Sequence, residues 1–269
     1  MVRKDSKRGN NRKSRWGEQP VKLLRRVCLV EALRGPTTSE EWERLPVYTL
    51  TFSTSSSLGV RIDCGDVVKI CIPDFNQPKS YSMSAERTGE FDITFKVYPG
   101  GVASGYLDSL QIGKEISVFK VGSKQRRAGS HVGLVAYGVG ITEALPIAAA
   151  ELAKPDAEHV KLLWASKTYG DLFWHHEIAE LRAEYPERFD VETILSREQR
   201  DGSRYGRCTS QVLAEVFDDV WGTGPGGPNF ERRDGVRFLA VGTGPMIWET
   251  EDMLSHLGFA VPGKHALLR

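Results

Sequence analysis

An apolar run, His131–Tyr137, leads directly into Gly138-Val139-Gly140-Ile141-Thr142 and then into an Ala-rich stretch with helical character. Glycines at such a turn let the backbone bend sharply and approach a ligand. The helix start behind them offers free N–H groups and a positive dipole end, which suits a pyrophosphate. The pattern recurs where Val236–Val241 meets Gly242-Thr243-Gly244-Pro245-Met246, with Pro245 fitted to a first helical turn. Neither turn is a Walker loop, because no Gly-Lys-Ser/Thr follows, so a P-loop nucleotidase is disfavoured. A third run, Phe189–Leu195, ends in Ser196-Arg197-Glu198-Gln199, with Arg204-Tyr205 shortly beyond. A hydroxyl, a guanidinium fork and a phenol could together hold a phosphate monoester. Each segment alone also fits a plain turn or a solvated loop, but two glycine turns in one small sheet favour a nucleotide.

The N-terminal half carries a different set. Lys79-Ser80-Tyr81-Ser82-Met83-Ser84 alternates as a strand, with Tyr81 and Met83 on one side and the serines on the other. A cation, an aromatic ring and hydroxyls on one strand could serve the phosphate, ring and ring nitrogen of a cofactor. Lys96-Val97-Tyr98 precedes the glycine turn Pro99-Gly100-Gly101-Val102-Ala103-Ser104. Ser104 is the expected N-cap of a short helix reaching Leu110, and the turn is a second possible phosphate cradle.

Two kinds of element must position these groups, and they change over near residue 125. Up to there, β-rich runs recur about every ten residues: Val27–Leu33, Val47–Phe52, Val60–Ile62, Val67–Ile72, Lys79–Met83, Phe91–Tyr98 and Glu115–Val121. They predict an antiparallel barrel or sandwich. Beyond it, strands alternate with helices: His131–Tyr137 with Glu143–Leu152, Val160–Ala165 with Asp171–Tyr185, Phe189–Leu195 with Thr209–Phe217, and Val236–Val241 with Pro245–Leu257. Four βα units predict a doubly wound parallel sheet, whose ligands sit beyond the carboxyl ends of the strands. Gly222–Arg233 is expected to be a surface loop. The expected domains are a basic, disordered arm over 1–26, a barrel over 27–125 and an α/β domain over 126–269.

Composition narrows the classes further. The 269 residues are 40% hydrophobic and 26% charged, which excludes a disordered or collagenous chain. No apolar run is long enough for an integral membrane segment. The four cysteines, at 28, 64, 71 and 208, form no Cys-x-x-Cys pair, so no metal site or iron–sulfur cluster is expected. His175 and His176 are helix neighbours that point apart and cannot share a metal. The chain reads as intracellular, soluble and reduced: cytoplasmic, with an organelle left open by the basic arm. Residues 1–26 hold ten Lys/Arg against two acids, whereas the remainder holds 26 against 33. A solvated tail, a transit-peptide remnant, a nuclear address and a docking arm all fit that arm. The reading favours no nucleic-acid partner.

In this order, the motifs resemble the ferredoxin–NADP reductase superfamily over about Val27–Phe259. Its Arg-x-Tyr-Ser/Thr strand motif appears as Lys79-Ser80-Tyr81-Ser82, and its Gly-x-x-Ser motif as Gly101-Val102-Ala103-Ser104. The block from Lys96 to Lys120 is similar to the b-type cytochrome reductases. Gly-x-Gly-Ile-x-Pro appears as Gly138 to Glu143, and Cys-Gly-x-x-x-Met as Val241 to Met246. Ser196-Arg197-Glu198-Gln199, with Tyr205 after it, is similar to plant-type reductases that bind NADPH.

The resemblance implies an antiparallel Greek-key FAD-binding β-barrel followed by a doubly wound, parallel-sheet NADP-binding domain. It implies an FAD-dependent NADPH oxidoreductase: hydride passes from NADPH to flavin N5, with Tyr81 and Ser82 at the reacting ring, and electrons pass to an external acceptor. That acceptor would be a small molecule or a redox protein such as a ferredoxin or a cytochrome. Lys79 would face a flavin phosphate, Tyr81 stack on the isoalloxazine and Ser82 bond near N5. Lys96 and Tyr98 would line the flavin, and Gly101, Val102, Ala103 and Ser104 would cradle the FAD pyrophosphate. Gly138, Gly140 and Thr142, together with Gly242, Pro245 and Met246, would meet the nicotinamide nucleotide. Ser196, Arg197 and Tyr205 would hold the 2′-phosphate of NADPH. Lys79 stands where the family has Arg, Glu143 where it has Pro and Val241 where it has Cys. Those departures also fit a non-catalytic nucleotide-binding module of the same fold. The sequence ends at Arg269 without the terminal aromatic of plant-type members, so the nicotinamide face of the flavin is expected to meet only small or aliphatic groups.

Overall fold

A computed structural model describes residues 19–34, 43–54, 67–73, 75–121, 129–221 and 236–259. The expected strand Val60–Ile62, the loop Gly222–Arg233 and the first eighteen residues of the basic arm lie outside them.

The N-terminal half closes into a six-stranded antiparallel barrel. Its elements are β1 (Gln19–Val30), a two-residue hairpin of β2 (Leu33–Arg34) and β3 (Glu43–Arg44), β4 (Val47–Thr54), β5 (Val67–Ile70), β6 (Lys79–Arg87), β7 (Glu90–Lys96), α1 (Val102–Asp108) and β8 (Glu115–Val121). The barrel order is β1-β4-β7-β6-β5-β8. Three consecutive strands in reverse order are thus inserted between β4 and β8, which is a Greek key. Period-2 alternation fills the interior with Leu23, Leu50, Phe52, Ile70, Met83, Phe91, Ile93 and Val118.

β1 corrects the expected domain boundary. It begins at Gln19, not at residue 27, and pairs with β4 from Val21 and with β8 from Gln19. Val21 and Leu23 are buried while Lys22, Arg25 and Arg26 point out. The last eight residues of the basic arm are therefore a half-buried strand whose outer face carries the charge. Arg26 bonds Asp108 at the end of α1 and lies over the Tyr48 ring.

The second half comprises β9 (His131–Tyr137), α2 (Ile141–Leu152), β10 (His159–Ser166), a 3-10 turn at Tyr169–Asp171, α3 (His175–Glu184), β11 (Phe189–Leu195), β12 (Arg204–Tyr205), α4 (Ser210–Trp221), β13 (Val236–Val241) and α5 (Gly244–His256). The sheet is parallel throughout, in the order β12-β11-β10-β9-β13. Alternate residues of each strand feed separate cores. Val132, Leu134, Val160, Leu162 and Trp164 pack with α2 and α3, whereas Val135, Leu163, Ile194 and Ala240 pack with α4 and α5. Burial on both faces explains why β9, between β10 and β13 in the sheet, reads as a nearly continuous apolar run.

The helix expected from Asp171 starts only at His175. Asp171 accepts bonds from the Thr168 N–H (3.2 Å) and Oγ1 (2.8 Å), closing the 3-10 turn, and Trp174 then takes a left-handed φ of 61° that breaks the helix. Among the described residues, no helix is long and apolar enough to cross a membrane.

Candidate functional site

One cavity of about 1090 Å³ runs along the junction of the barrel and the sheet, at the carboxyl ends of β9, β10, β11 and β13. It meets the sheet at its switch point: the chain leaves β9 toward β10 on one side and reaches β13 on the other.

From the barrel, Lys79, Tyr81 and Ser82 of β6 and Lys96 of β7 line the cavity. The Tyr81 ring is braced edge-on by Phe95, with centroids 6.2 Å apart. Burial, helped by Tyr98, pushes its phenol up to about 12, so it stays neutral at ordinary pH. Lys79 Nζ lies 4.9 Å from the centre of the Phe75 ring, a cation–π contact that leaves its charge available. Lys96 is engaged across the junction: its ammonium sits 3.7 Å from the Asp171 carboxylate in the turn after β10. Burial pulls the lysine down and Asp171 holds it up.

The glycine turn before α1 also lines the cavity, through Tyr98, Gly101, Val102, Ala103 and Ser104. Ser104 is not the N-cap; that position is Gly101, in extended conformation. Ser104 stands third in the helix and its Oγ accepts the Tyr98 N–H at 3.1 Å, folding the turn back on itself. A Cβ at Gly101 would collide with that hydroxyl and meet the Tyr98 carbonyl at 3.0 Å. Glycine is required here by closeness rather than by backbone angle.

The two glycine turns of the sheet abut each other. A Cβ on Gly140 would lie 2.5 Å from the Val241 carbonyl oxygen, and one on Gly242 would press on the Tyr137 ring at 3.0 Å. Gly138, at φ 55°, opens on the cavity with nothing within 4 Å of a Cβ, and its carbonyl accepts from Trp164 Nε1 at 2.8 Å. Thr142 donates to the Val139 carbonyl at 2.9 Å, tightening the start of α2. Gly138, Gly140, Thr142, Gly242 and Met246 all line the cavity. Pro245 occupies the first turn of α5, behind the lining.

At the other end, the Ser196 N–H bonds the Ser166 carbonyl (3.0 Å) and the Arg197 N–H bonds that of Lys167 (2.9 Å), carrying the parallel ladder past the strand ends. The cavity therefore receives Ser196 and Arg197 beside Lys167, with Arg207 from the segment after β12. None of these three cations has an ion-pair partner among the described residues. Tyr205 does not join them; it is 59% exposed on the edge strand β12, outside the lining. Arg204 pairs with Glu192 and Glu215, both at 2.6 Å.

Lining groups that were not singled out from the sequence as ligand-binding include Lys167, Arg207, Tyr137 and Cys208. Tyr137 is the last residue of β9, where alternation turns its ring toward α5 and its hydroxyl meets Thr250 Oγ1 at 2.7 Å. Burial raises both the Tyr137 phenol and the Cys208 thiol. Glu143, which at the start of α2 would oppose an anion, turns to the barrel instead and accepts a 2.8 Å bond from Ser82 Oγ. Burial raises its carboxyl, favouring the neutral form. The last described aromatic, Phe259, packs on Phe238 with centroids 4.7 Å apart, in the core and away from the cavity.

Comparison with known proteins agrees with this division. Residues 44–122 match the family model of the oxidoreductase FAD-binding domain, and residues 134–252 that of the oxidoreductase NAD-binding domain. The NADH-cytochrome b5 reductase 1 of Cryptococcus neoformans is 29% identical over 217 residues, covering 77% of this chain and 71% of that protein. In fold, the cytochrome b5 reductase domain of Ulva prolifera nitrate reductase superposes with a TM-score of 0.65 at 18% identity, over 93% of this chain and 95% of that one. A ferredoxin-NADP+ reductase variant from Plasmodium falciparum in complex with 2′P-AMP gives 0.62 at 14% identity, over 88% and 92%.

Proposed function

We propose that this chain, which belongs to the ferredoxin–NADP reductase superfamily, takes hydride from NADPH onto a bound FAD and delivers the electrons to an external redox protein. That it is a flavin- and pyridine-nucleotide-dependent oxidoreductase, similar to cytochrome b5 reductase, follows from its two domains and its relatives. The finer points are our reading: NADPH rather than NADH, the assignment of residues and the acceptor.

The residues present fit both ligands. Gly138 opens on the cavity where a side chain would intrude, and the start of α2 behind it suits a pyrophosphate. On the barrel side, Tyr81 would stack on the isoalloxazine, Lys79 would meet a flavin phosphate and the Gly101–Ser104 turn would take the rest of the FAD pyrophosphate, which FMN lacks. When bound, the flavin supplies the hydride-accepting ring, and the protein supplies position and electrostatics. Tyr81 contributes a neutral, braced surface. Lys96 and Asp171 hold the barrel against the sheet at the floor of the cavity. Val241 and the two glycine turns leave room for the nicotinamide between the domains.

The observation that carries NADPH is the cation cluster. Arg197, Lys167 and Arg207 face one end of the cavity beside the Ser196 hydroxyl, with no carboxylate partner among the described residues. A 2′-phosphate would be the natural counterion. The relatives named as NADH enzymes set the opposite expectation, so the test must be direct. A charge-assisted hydrogen bond is worth roughly 1.5–3 kcal/mol. Arg197→Ala should therefore raise the KM for NADPH about 10- to 100-fold and spare NADH, measured by steady-state reduction of ferricyanide. Equal losses with both nucleotides, or a wild-type preference for NADH, would refute the assignment. For the acceptor, names such as NADH-cytochrome b5 reductase favour a one-electron haem protein. A screen of cytochromes, ferredoxins and quinones checks this, and turnover with quinones alone would overturn it.

A further inference from the structure

Ser82 and Glu143 join the two domains inside the cavity. Ser82 Oγ donates to Glu143 Oε2 at 2.8 Å, linking β6 of the barrel to the first turn of α2. Both residues line the cavity, next to the Tyr81 ring. A serine hydroxyl has one proton to give and lone pairs to receive with. If Glu143 is ionised it only accepts, so it holds the Ser82 proton and Ser82 offers the cavity an acceptor. If Glu143 is protonated it can donate to Ser82 Oγ, and the Ser82 O–H is released to donate into the cavity. The charge on one carboxyl thus decides whether the hydroxyl beside the flavin site gives or takes a hydrogen bond.

We propose that Glu143 is a positioning residue that sets the hydrogen-bonding sense of Ser82, and that the pair changes sense as the flavin changes redox state. The proposal rests on the assignment of this wall of the cavity to the flavin. The ring nitrogen that takes the hydride is an acceptor when the flavin is oxidised and an N–H donor once it is reduced. An oxidised ring therefore matches a protonated Glu143; a reduced ring matches an ionised Glu143 that has released its proton to solvent through the open cavity, with the Ser82 O–H turned back to the carboxylate. Burial favours the neutral carboxyl, and the Ser82 bond opposes it. Among the described residues, no cation is ion-paired with Glu143. The strands packed on α2 bring Lys79 and Tyr81 of β6 and Tyr137 of β9 to the same cavity, but Lys79 is over Phe75 and Tyr137 bonds Thr250. Lys161 of β10 is paired with Glu192, and Arg237 of β13 with Glu151.

The test is the midpoint potential of the bound flavin as a function of pH, by spectroelectrochemistry of the holoprotein. Proton affinity of Glu143 that differs between the two redox states puts an extra inflection in that curve. A tenfold difference displaces a two-electron potential by about 30 mV between the acid and alkaline limits. Glu143→Gln, which keeps the shape but does not titrate, should lose the inflection. Ser82→Ala, which keeps the carboxyl but removes the coupling, should lose it as well. Superimposable curves for wild type and Glu143→Gln overturn the proposal. So does an inflection that persists in Ser82→Ala, since the carboxyl would then act through its charge alone. Redox-difference infrared spectra give a second readout: a carboxyl band in the wild type that is absent from Glu143→Gln supports it, and no such band refutes it. Failure of the flavin assignment looks different, because the purified protein would then carry no flavin to titrate.

Discussion

Replacing Asp171 by Asn should leave a buried ammonium without its counter-charge. In the wild type the Lys96 side chain is 13% exposed and that of Asp171 3%, with 3.7 Å between the charges. Asn can still accept the Thr168 bonds at 3.2 and 2.8 Å through its one oxygen, which leaves its NH2 toward Lys96, so the substitution removes the charge and the acceptor that faced the ammonium. Breaking a buried pair from one side costs about 3–5 kcal/mol. The separation is long and Lys96 borders a cavity that admits water, so the lower end, about 3 kcal/mol, applies. For a protein of this size each kcal/mol moves Tm by roughly 2–4 °C, which gives a fall of about 6–12 °C. The pH dependence fixes the cause. Burial already lowers Lys96 below the ordinary lysine value, Lys167 pushes the same way and Asp171 opposes both. Without Asp171 the folded-state value falls further, and between it and the unfolded value the unfolded chain binds more protons. Stability of the variant should therefore rise with pH through that window. Scanning calorimetry from neutral to alkaline pH measures this, and the double variant Lys96→Met/Asp171→Asn should regain most of the loss. A double variant no more stable than Asp171→Asn, or a variant whose stability falls as pH rises, would sink the account.

Gly140→Ala should destabilise the protein by about 1–3 kcal/mol, since its methyl would press on the Val241 backbone, which has no rotamer to escape into; chemical denaturation reads this, and an unchanged midpoint contradicts it. Tyr81→Ala should weaken flavin retention by about 0.5–1.5 kcal/mol beyond the area lost, whereas Tyr81→Phe retains most of it, as measured by flavin release on dilution. Flavin freed by heat should chromatograph as FAD, and FMN as the sole product would remove the role given to the Gly101–Ser104 turn.

Much of this architecture could be read in advance, for identifiable reasons. His131–Tyr137, Phe189–Leu195 and Val236–Val241 are found with the expected bounds, because β9, covered on both faces, is a nearly continuous apolar run and β11 and β13 keep an apolar majority despite Asp190, Glu192 and Arg237. β1 was concealed by its exposed face. Lys22, Arg25 and Arg26 read as tail, although Val21 and Leu23 keep strand spacing between them. The start of α3 was misjudged because Asp171 has the right type for a first helical turn, yet its partners lie in the preceding turn and across the junction at Lys96. In the cavity, motif residues were legible because glycines and an Arg after a strand have local reasons to be there. Lys167 and Arg207 have none; they reach the cavity only because the ladder runs on past β10 and β11. Glu143 was conspicuous as an acid at a helix start, but its partner lies 61 residues away on another domain. Tyr205, placed by motif alone, stands outside.

The first strand also determines how the molecule can be cut. β1 is the stave that closes the barrel, hydrogen-bonded to β4 along one edge and to β8 along the other. Lys22, Arg25 and Arg26 are bonds that trypsin would choose, yet all three are paired with β4, Lys22 with β8 as well, and a protease needs an extended, unpaired stretch to bind. Cleavage there must wait for the hoop to spring open, so its rate reports barrel opening rather than the abundance of basic residues. A shortened chain begun at Val27 would lack that stave and expose the raw edges of β4 and β8, inviting a neighbour's strand to fill the gap.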